Sequence, residues 1–166
     1  SKANLPKNEA LAYENYGEMM LIKGEYWAAL PYLNKAISIS RTHKLTTIEA
    51  DAIHGKAQAF AYLKQFDYAF DNYRAAIKLN TSMERETGLC ENLSGIGALY
   101  LEKAKLNANS SSLLSKSLDT LLLSAEIAKK IGFYHELVDI YEKISEAHAL
   151  SNNWKGAYKY NKLSTN

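Results

Sequence analysis

The feature of this sequence that most constrains its fold is a helical pattern that recurs along the chain. Small residues occupy similar positions at Ala29, Ala69, Ser117 and Ala157, which lie 40, 48 and 40 residues apart. Around each of them, apolar side chains recur at three- and four-residue steps, which is the periodicity of a helix that buries one face. A pair of such helices cannot bury its apolar surface alone, so neighbouring pairs have to stack. The sequence therefore predicts an all-α protein built from repeated helix pairs.

The positions of the breaks predict about eight helices. Turns are expected at Lys23-Gly24-Glu25, at Lys64-Gln65 and at Gly132. The spacings Thr46-x-x-Glu49 and Thr81-x-x-Glu84 are typical of a capping box, in which both side chains bind the free amides of a helix start. We therefore expect helices over residues 8–22, 26–40, 46–63, 66–79, 81–106, 113–131, 135–150 and 154–163, with a loop at 107–112.

Composition supports long helices and excludes several classes of protein. Only 8 glycines and 2 prolines interrupt 166 residues, which favours helices over many short strands. The net charge of +2 is too small to draw the chain onto nucleic acid or anionic lipid, so we expect neither as a direct partner. A single cysteine, Cys90, cannot form an internal disulfide. We expect one domain over residues 1–166, without a signal peptide or a membrane span, as a fragment of a longer protein.

The residues of the first helix pair resemble the tetratricopeptide repeat (TPR), whose pattern is W-x2-L-G-x2-Y followed by A-x3-F and a further small residue. The matching residues are Tyr13, Tyr16, Gly17, Met20, Ala29, Leu33 and Ala36. The second pair fits through Ile53, Ala57, Phe60, Ala69, Tyr73 and Ala76, whereas the third and fourth pairs fit more loosely. The resemblance implies a right-handed superhelix of about four TPR-like antiparallel helix pairs, with repeats at about 8–40, 46–80, 82–132 and 134–165. HEAT-like pairs have a similar period but do not predict these small and aromatic positions.

Close packing explains why small residues are needed in these positions. A glycine or alanine lets the two helices of a pair approach each other, while aromatic side chains fill the neighbouring gaps. The residues expected at such contacts are Gly17, Ala29, Ala36, Ala57, Ala69, Ala76 and Gly97.

Motifs that carry chemistry are weak in this sequence. His135-Glu136-x-x-Asp139 lacks the second histidine of a metalloprotease helix, and Gly95-x-Gly97 lacks the third glycine of a dinucleotide loop. We expect Cys90 to be a packing residue, and we expect the histidines to lie at surface or packing positions. The chain is therefore predicted to be no enzyme and to need no cofactor or metal.

The TPR resemblance implies that the first helix of each pair lines a concave face that binds an extended peptide or a partner helix. That face is predicted to be acidic, so its ligand is expected to be a basic or amphipathic protein segment. The alternative is that these carboxylates only solvate an exposed surface. The candidate residues are Glu14, Glu18, Leu21, Asp51, His54, Gln58, Tyr62, Glu91, Ser94, Glu102, Glu142 and Glu146.

The last third of the chain is also similar to TPR sensor regions that precede bacterial histidine kinase or helix-turn-helix output modules. The segments that carry this resemblance are 125–132, 140–146 and 154–160. They imply a sensing or docking region of a bacterial signalling protein, for example of a two-component system, and a periplasmic location. The alternative is a free-standing cytoplasmic scaffold. Trp154 and Tyr158 could in addition form a homodimer through the terminal helices.

Overall fold

The computed structural model describes residues 5–107 and 110–165, and these residues form helices and turns without a strand. The eight helices are Leu5–Ile22 (α1), Tyr26–His43 (α2), Thr46–Tyr62 (α3), Phe66–Ser82 (α4), Glu86–Lys105 (α5), Ser111–Ile131 (α6), Tyr134–Leu150 (α7) and Trp154–Ser164 (α8). They form antiparallel hairpins, so the predicted all-α class is confirmed.

The turns explain why the helix ends are so regular. Gly24, Lys64 and Asn152 each adopt a positive φ, of 77°, 57° and 57°. In each turn, the residue that follows donates its backbone N–H to the carbonyl five residues earlier, as Glu25 does to Met20. This left-handed closure satisfies free carbonyls at the end of one helix and starts the next helix almost at once.

Both predicted capping boxes are wrong. Leu45 is the N-cap of α3, and the Glu49 carboxylate accepts a hydrogen bond from Arg41 Nε at 2.7 Å. Thr81 lies inside α4, which continues to Ser82, and Glu84 is a turn residue with φ of 53°. Backbone turns replace side-chain caps at both helix starts, so the local spacing was misleading.

The predicted loop at 107–112 extends too far at its C-terminal end. Ser110 is the N-cap of α6, and Ser111 and Ser112 belong to the helix. Residues 108 and 109 of this loop lie outside the described residues.

The chain divides into two compact units, Ser1–Glu84 and Arg85–Asn166. The boundary coincides with the step from the second to the third hairpin. A single domain over residues 1–166 therefore stays a prediction.

In the first unit, α1 packs against both α2 and α3, and α3 packs in turn against α4. Gly17 is buried under Leu33, so closely that a Cβ at this position would lie 2.6 Å from Leu33 Cδ2. Leu33 is itself almost fully buried, and it packs in a cluster with small residues of its own helix and of α3 and α4. A leucine of α2 packed against a glycine of α1 is therefore a central contact of the first unit.

The second unit repeats this contact on different residues. A Cβ at Gly97 on α5 would lie 2.5 Å from Leu121 Cγ on α6. Leu121 is fully buried and belongs to a cluster that also contains Ile140 and Ile144 of α7. Every small residue predicted at a helix contact in either unit is buried, which confirms the packing reason given for them.

Candidate functional site

Three of the candidate carboxylates meet where α1 and α3 adjoin in the first unit. Glu14 and Glu18 lie one turn apart on α1, and Asp51 lies on α3. Burial raises the pKa of Glu14 from 4.5 to about 7, and the negative charges of Glu18 and Asp51 add to the rise. These side chains of two hairpins therefore lie close enough to repel one another, and we call these three residues the acidic cluster.

Two members of the acidic cluster, Glu14 and Glu18, have an unbalanced negative charge. Among residues 5–107 and 110–165, no lysine or arginine lies within ion-pair distance of Glu14 or Glu18. Glu18 is exposed, whereas Glu14 is partly buried. A carboxylate in such surroundings gains from a positively charged group that approaches from solvent.

The remaining candidates on α3 continue along the same side of the helix. The His54 ring lies edge-on to the Tyr73 ring, with 5.7 Å between their centroids, and Gln58 is partly exposed. Tyr62 is exposed on one side and stacks on Tyr26 with 4.6 Å between the ring centroids. Aromatic and polar surface therefore extends from the acidic cluster towards the C-terminal end of α3.

One candidate is inaccessible, and another is half-buried against the core. Ser94 is only 3% exposed, so a ligand cannot reach it. Leu21 packs against the core cluster of the first unit, with its Cδ1 atom 3.6 Å from the Cβ position of Gly55. Both were placed by helical spacing alone, which does not show how closely a neighbouring helix covers a position.

The acidic character predicted for the concave face is partly neutralised in the second unit. Lys105 Nζ lies 2.6 Å from Glu102 Oε1 and 2.7 Å from Glu146 Oε1, and so bridges α5 and α7. Partial burial lowers the pKa of Lys105, but its hydrogen bonds to both carboxylates outweigh burial and hold the pKa above its usual value. Glu91 is partly buried and Glu142 is exposed. Lys105 was missed by sequence reasoning, although its place three residues after Glu102 was a readable signal for a helical ion pair.

A pocket lies along α8, with a volume of about 720 Å³. His148 of α7 and Tyr160 of α8 line this pocket and stack with 5.6 Å between their ring centroids. Partial burial lowers the pKa of His148, and the charge of Lys159 lowers it further. His148 is thus a packing residue, as expected, and the rim beside it is basic.

Cys90 and Gly97 have packing contacts in the structure. Cys90 is fully buried, its Sγ atom lies 3.3 Å from Ser124 Oγ, and burial raises the pKa of its thiol. Gly97 packs closely against the Leu121 side chain. Within residues 5–107 and 110–165, histidine, cysteine and carboxylate side chains do not gather in threes that could hold a metal ion. No helix formed by these described residues is long and apolar enough to cross a membrane.

Comparisons with known proteins support the fold. No protein-family model matches the chain, and no curated protein matches it. Among solved structures, the chain is similar to the crystal structure of BtubC (BKLC) from P. vanneervenii, with a TM-score of 0.80 and 14% sequence identity over 96% of this chain. The chain spans 63% of the length of that protein. At this identity the likeness shows an all-α fold of helical hairpins and nothing about activity.

Proposed function

We propose that this chain is a TPR-type module that binds a basic polypeptide segment on the α1 and α3 side of its first unit. The observation that carries the proposal is the meeting of Glu14, Glu18 and Asp51 from two hairpins, with the pKa of Glu14 raised to about 7. A lysine or arginine of a ligand would relieve the repulsion among these carboxylates, which favours binding by charge complementarity.

The aromatic surface beside the acidic cluster indicates a second property of the ligand. Tyr62, stacked on Tyr26, offers an exposed ring beyond the charged residues along α3. An apolar side chain can pack on such a ring while a basic side chain reaches the acidic cluster. The expected ligand is therefore a basic segment with apolar anchors.

The wider role is proposed from the sequence resemblance. We propose a sensing or docking region of a bacterial signalling protein, in which binding by this chain is passed to an output module. The alternative is a free-standing scaffold that joins two partners. A kinase or DNA-binding region in the same reading frame supports the first role, and an independently expressed chain supports the second.

The proposal is tested by peptide binding to charge-reversed variants. The probe is an amidated peptide of alternating lysine and leucine, and its counterpart with glutamate in place of lysine serves as the negative ligand. Because Glu14→Lys with Glu18→Lys removes the attraction and adds repulsion, we expect the affinity for the basic peptide to fall at least about tenfold. Isothermal titration calorimetry measures this change.

The matched control is Glu9→Lys with Asp71→Lys, which makes the same change in net charge at two exposed positions of the first unit. Equal losses in both double variants would mean that only the overall charge attracts the peptide. Unchanged affinity in the Glu14 and Glu18 variant would exclude the acidic cluster as the site.

Proton release provides an independent readout of the same site. A bound lysine favours the ionised form of Glu14, so near pH 7 the complex should release part of a proton. Calorimetry of wild-type protein in buffers with different ionisation enthalpies detects this release, and Glu14→Gln should abolish it.

A further inference from the structure

Glu49, Lys56 and Phe60 form a row along one side of α3. They are seven and four residues apart, and side chains at these steps lie above one another on a helix. The Arg41 guanidinium of α2 binds the Glu49 carboxylate, with 2.7 Å between Nε and Oε1. Tyr68 of α4 stacks on Phe60, with 5.2 Å between the ring centroids. Lys56 therefore lies in a row that residues of α2 and α4 contact.

The surroundings of the Lys56 ammonium group disfavour its charge. Lys56 is only partly exposed, and its Nζ atom lies 6.0 Å from the centroid of the Phe60 ring. Among residues 5–107 and 110–165, no carboxylate lies within ion-pair distance of it, and Glu49 in the same row is already bound by Arg41. A phenylalanine ring is a weaker partner for an ammonium group than a carboxylate is.

Burial and a neighbouring cation act on Lys56 in the same direction. Burial lowers the pKa of Lys56, and the positive charge of Arg41 lowers it further. Lys105 of the second unit is the opposite case, because its hydrogen bonds to Glu102 and Glu146 hold its pKa above the usual value. A lysine amine is a nucleophile only after it has lost its proton. At neutral pH, Lys56 therefore has the larger reactive fraction of the two.

We propose that Lys56 is a site of covalent acylation by a small acyl phosphate. The lone pair of the neutral amine attacks the carbonyl carbon of the donor. A nitrogen–carbon bond forms, the bond from this carbon to the phosphate oxygen breaks, and phosphate leaves with the electron pair. The amine nitrogen then gives up its extra proton to water. The products are an Nε-acyl-lysine and inorganic phosphate, and a compact donor suits an amine that its neighbours partly cover.

Acylation would remove the feature that makes this position unfavourable. The product is a neutral amide, so the half-buried charge and its repulsion by Arg41 both disappear. The site is distinct from the acidic cluster, since Lys56 follows Asp51 by five residues. At 3.6 residues per turn, the two side chains point about 140° apart around α3. The inference thus goes beyond the proposed peptide binding, and either of the two can fail without the other.

Competitive labelling of the folded protein with a trace of acetyl phosphate tests the proposal. The remaining amines are then labelled completely with deuterated acetic anhydride in denaturant, and mass spectrometry gives the ratio of the two labels at each lysine. Lys143, which is partly exposed on α7, is the control for accessibility. At pH 7.5 we expect Lys56 to react at least about threefold faster than Lys143, and Lys105 to react more slowly than Lys56.

Two further conditions separate the effect of the fold from that of the local sequence. In guanidinium chloride the preference for Lys56 over Lys143 should vanish, because the burial and Arg41 no longer act on it. In the folded protein the preference should shrink as the pH approaches 10.5, the ordinary pKa of lysine, because other lysine amines then lose their protons too. A preference that persists in denaturant would overturn the proposal.

The Arg41→Gln variant tests the neighbouring charge. It removes the cation beside Lys56 and releases the Glu49 carboxylate, and both changes should slow the labelling of Lys56, at least about twofold. Arg74→Gln is the matched control, since the Arg74 side chain is 66% exposed on α4 and that of Arg41 is 63% exposed. Circular dichroism establishes that both variants are folded. The proposal is overturned if wild-type Lys56 reacts no faster than Lys143, or if both arginine variants have the same effect.

Discussion

The two units of the chain share a packing device and differ in their electrostatics. Gly17 meets Leu33 in the first unit as Gly97 meets Leu121 in the second, with nearly the same short Cβ distances of 2.6 and 2.5 Å. The candidate carboxylates diverge, however. Glu14 and Glu18 face each other without a basic partner among the described residues, whereas Lys105 binds both Glu102 and Glu146.

This difference shows which properties of a repeat its pattern determines. Steric fit depends on residues that belong to the pattern, so it recurs with them. The charge of a surface depends on any residue close enough to pair with it, and Lys105 is not part of the pattern. Binding properties can therefore differ between units that have the same packing.

The largest expected effect tests the shared packing. Leu33→Ala and Leu121→Ala each remove a buried side chain and leave a cavity, so each should lower the free energy of unfolding by about 2–5 kcal/mol. Urea denaturation measures both losses. Leu123→Ala, at an exposed position of α6, is the control and should have little effect. A loss confined to one of the two buried leucines would show that the units do not depend equally on this contact.

A smaller loss of stability is expected when Gly17 or Gly97 is replaced by alanine. Gly17→Ala and Gly97→Ala force a methyl group into a leucine, which should cost about 1–3 kcal/mol of stability even though alanine favours a helix. Gly55→Ala is a graded comparison, since its Cβ would lie 3.1 Å from Leu33 Cδ2 and should cost less. Equal stability of all three variants and wild-type protein would mean that the leucines move aside without cost.

Two glutamine substitutions, one in each unit, test the electrostatic difference between the units. The pKa of Glu14 is about 7 in the folded protein and 4.5 in an ordinary environment, so the folded state holds this proton more tightly than the unfolded state. Its contribution to stability is therefore full below about pH 4.5 and is lost as the pH rises to about 7. Glu14→Gln should match wild-type protein at the acid end and be the more stable protein above pH 7.

Glu146→Gln should behave in the opposite way, since it removes a carboxylate that Lys105 binds at 2.7 Å. We expect a slight loss of stability at neutral pH, of less than about 1 kcal/mol for so exposed a pair. Thermal unfolding across the pH range compares both variants with wild-type protein. If the two substitutions shifted stability in the same direction at pH 8, the proposed contrast between the units would be wrong.

The smallest expected effect comes from making the second unit resemble the first. Lys105→Met leaves Glu102 and Glu146 without their shared lysine, and we expect a stability change of less than about 1 kcal/mol. The variant should also bind the lysine and leucine peptide more strongly than wild-type protein. Lys143→Met on α7 makes the same change in net charge and is the control. Equal gains in both variants would attribute the binding to net charge alone.

Most of the fold was predictable from sequence because local patterns determine it. Apolar periodicity located all eight helices, and Gly24 and Gly132 marked turns that need a left-handed residue. The capping box at Thr46 and Glu49 failed because Glu49 is bound by Arg41 from the preceding helix, and the one at Thr81 and Glu84 failed because α4 continues through Thr81. A short sequence window does not contain that competing partner.

The candidate site was predictable only where neighbouring helices happened to leave it open. Helical spacing placed Glu14, Glu18 and Asp51 on one side, and their convergence followed from the packing of α1 on α3. The same spacing gave no sign that Ser94 is covered or that Lys105 reaches Glu146. Both facts depend on distances between helices, which periodicity does not contain.

The turns at Lys44 and Glu84 have consequences for how such a chain changes in length. Both residues adopt nearly the same left-handed conformation, with φ of 55° and 53°, and 40 residues separate them. Removal of residues 45–84, or their duplication, would therefore rejoin the backbone through a turn it already uses. Gene rearrangements that add or delete a whole hairpin could thus be tolerated at this junction without a newly shaped linker.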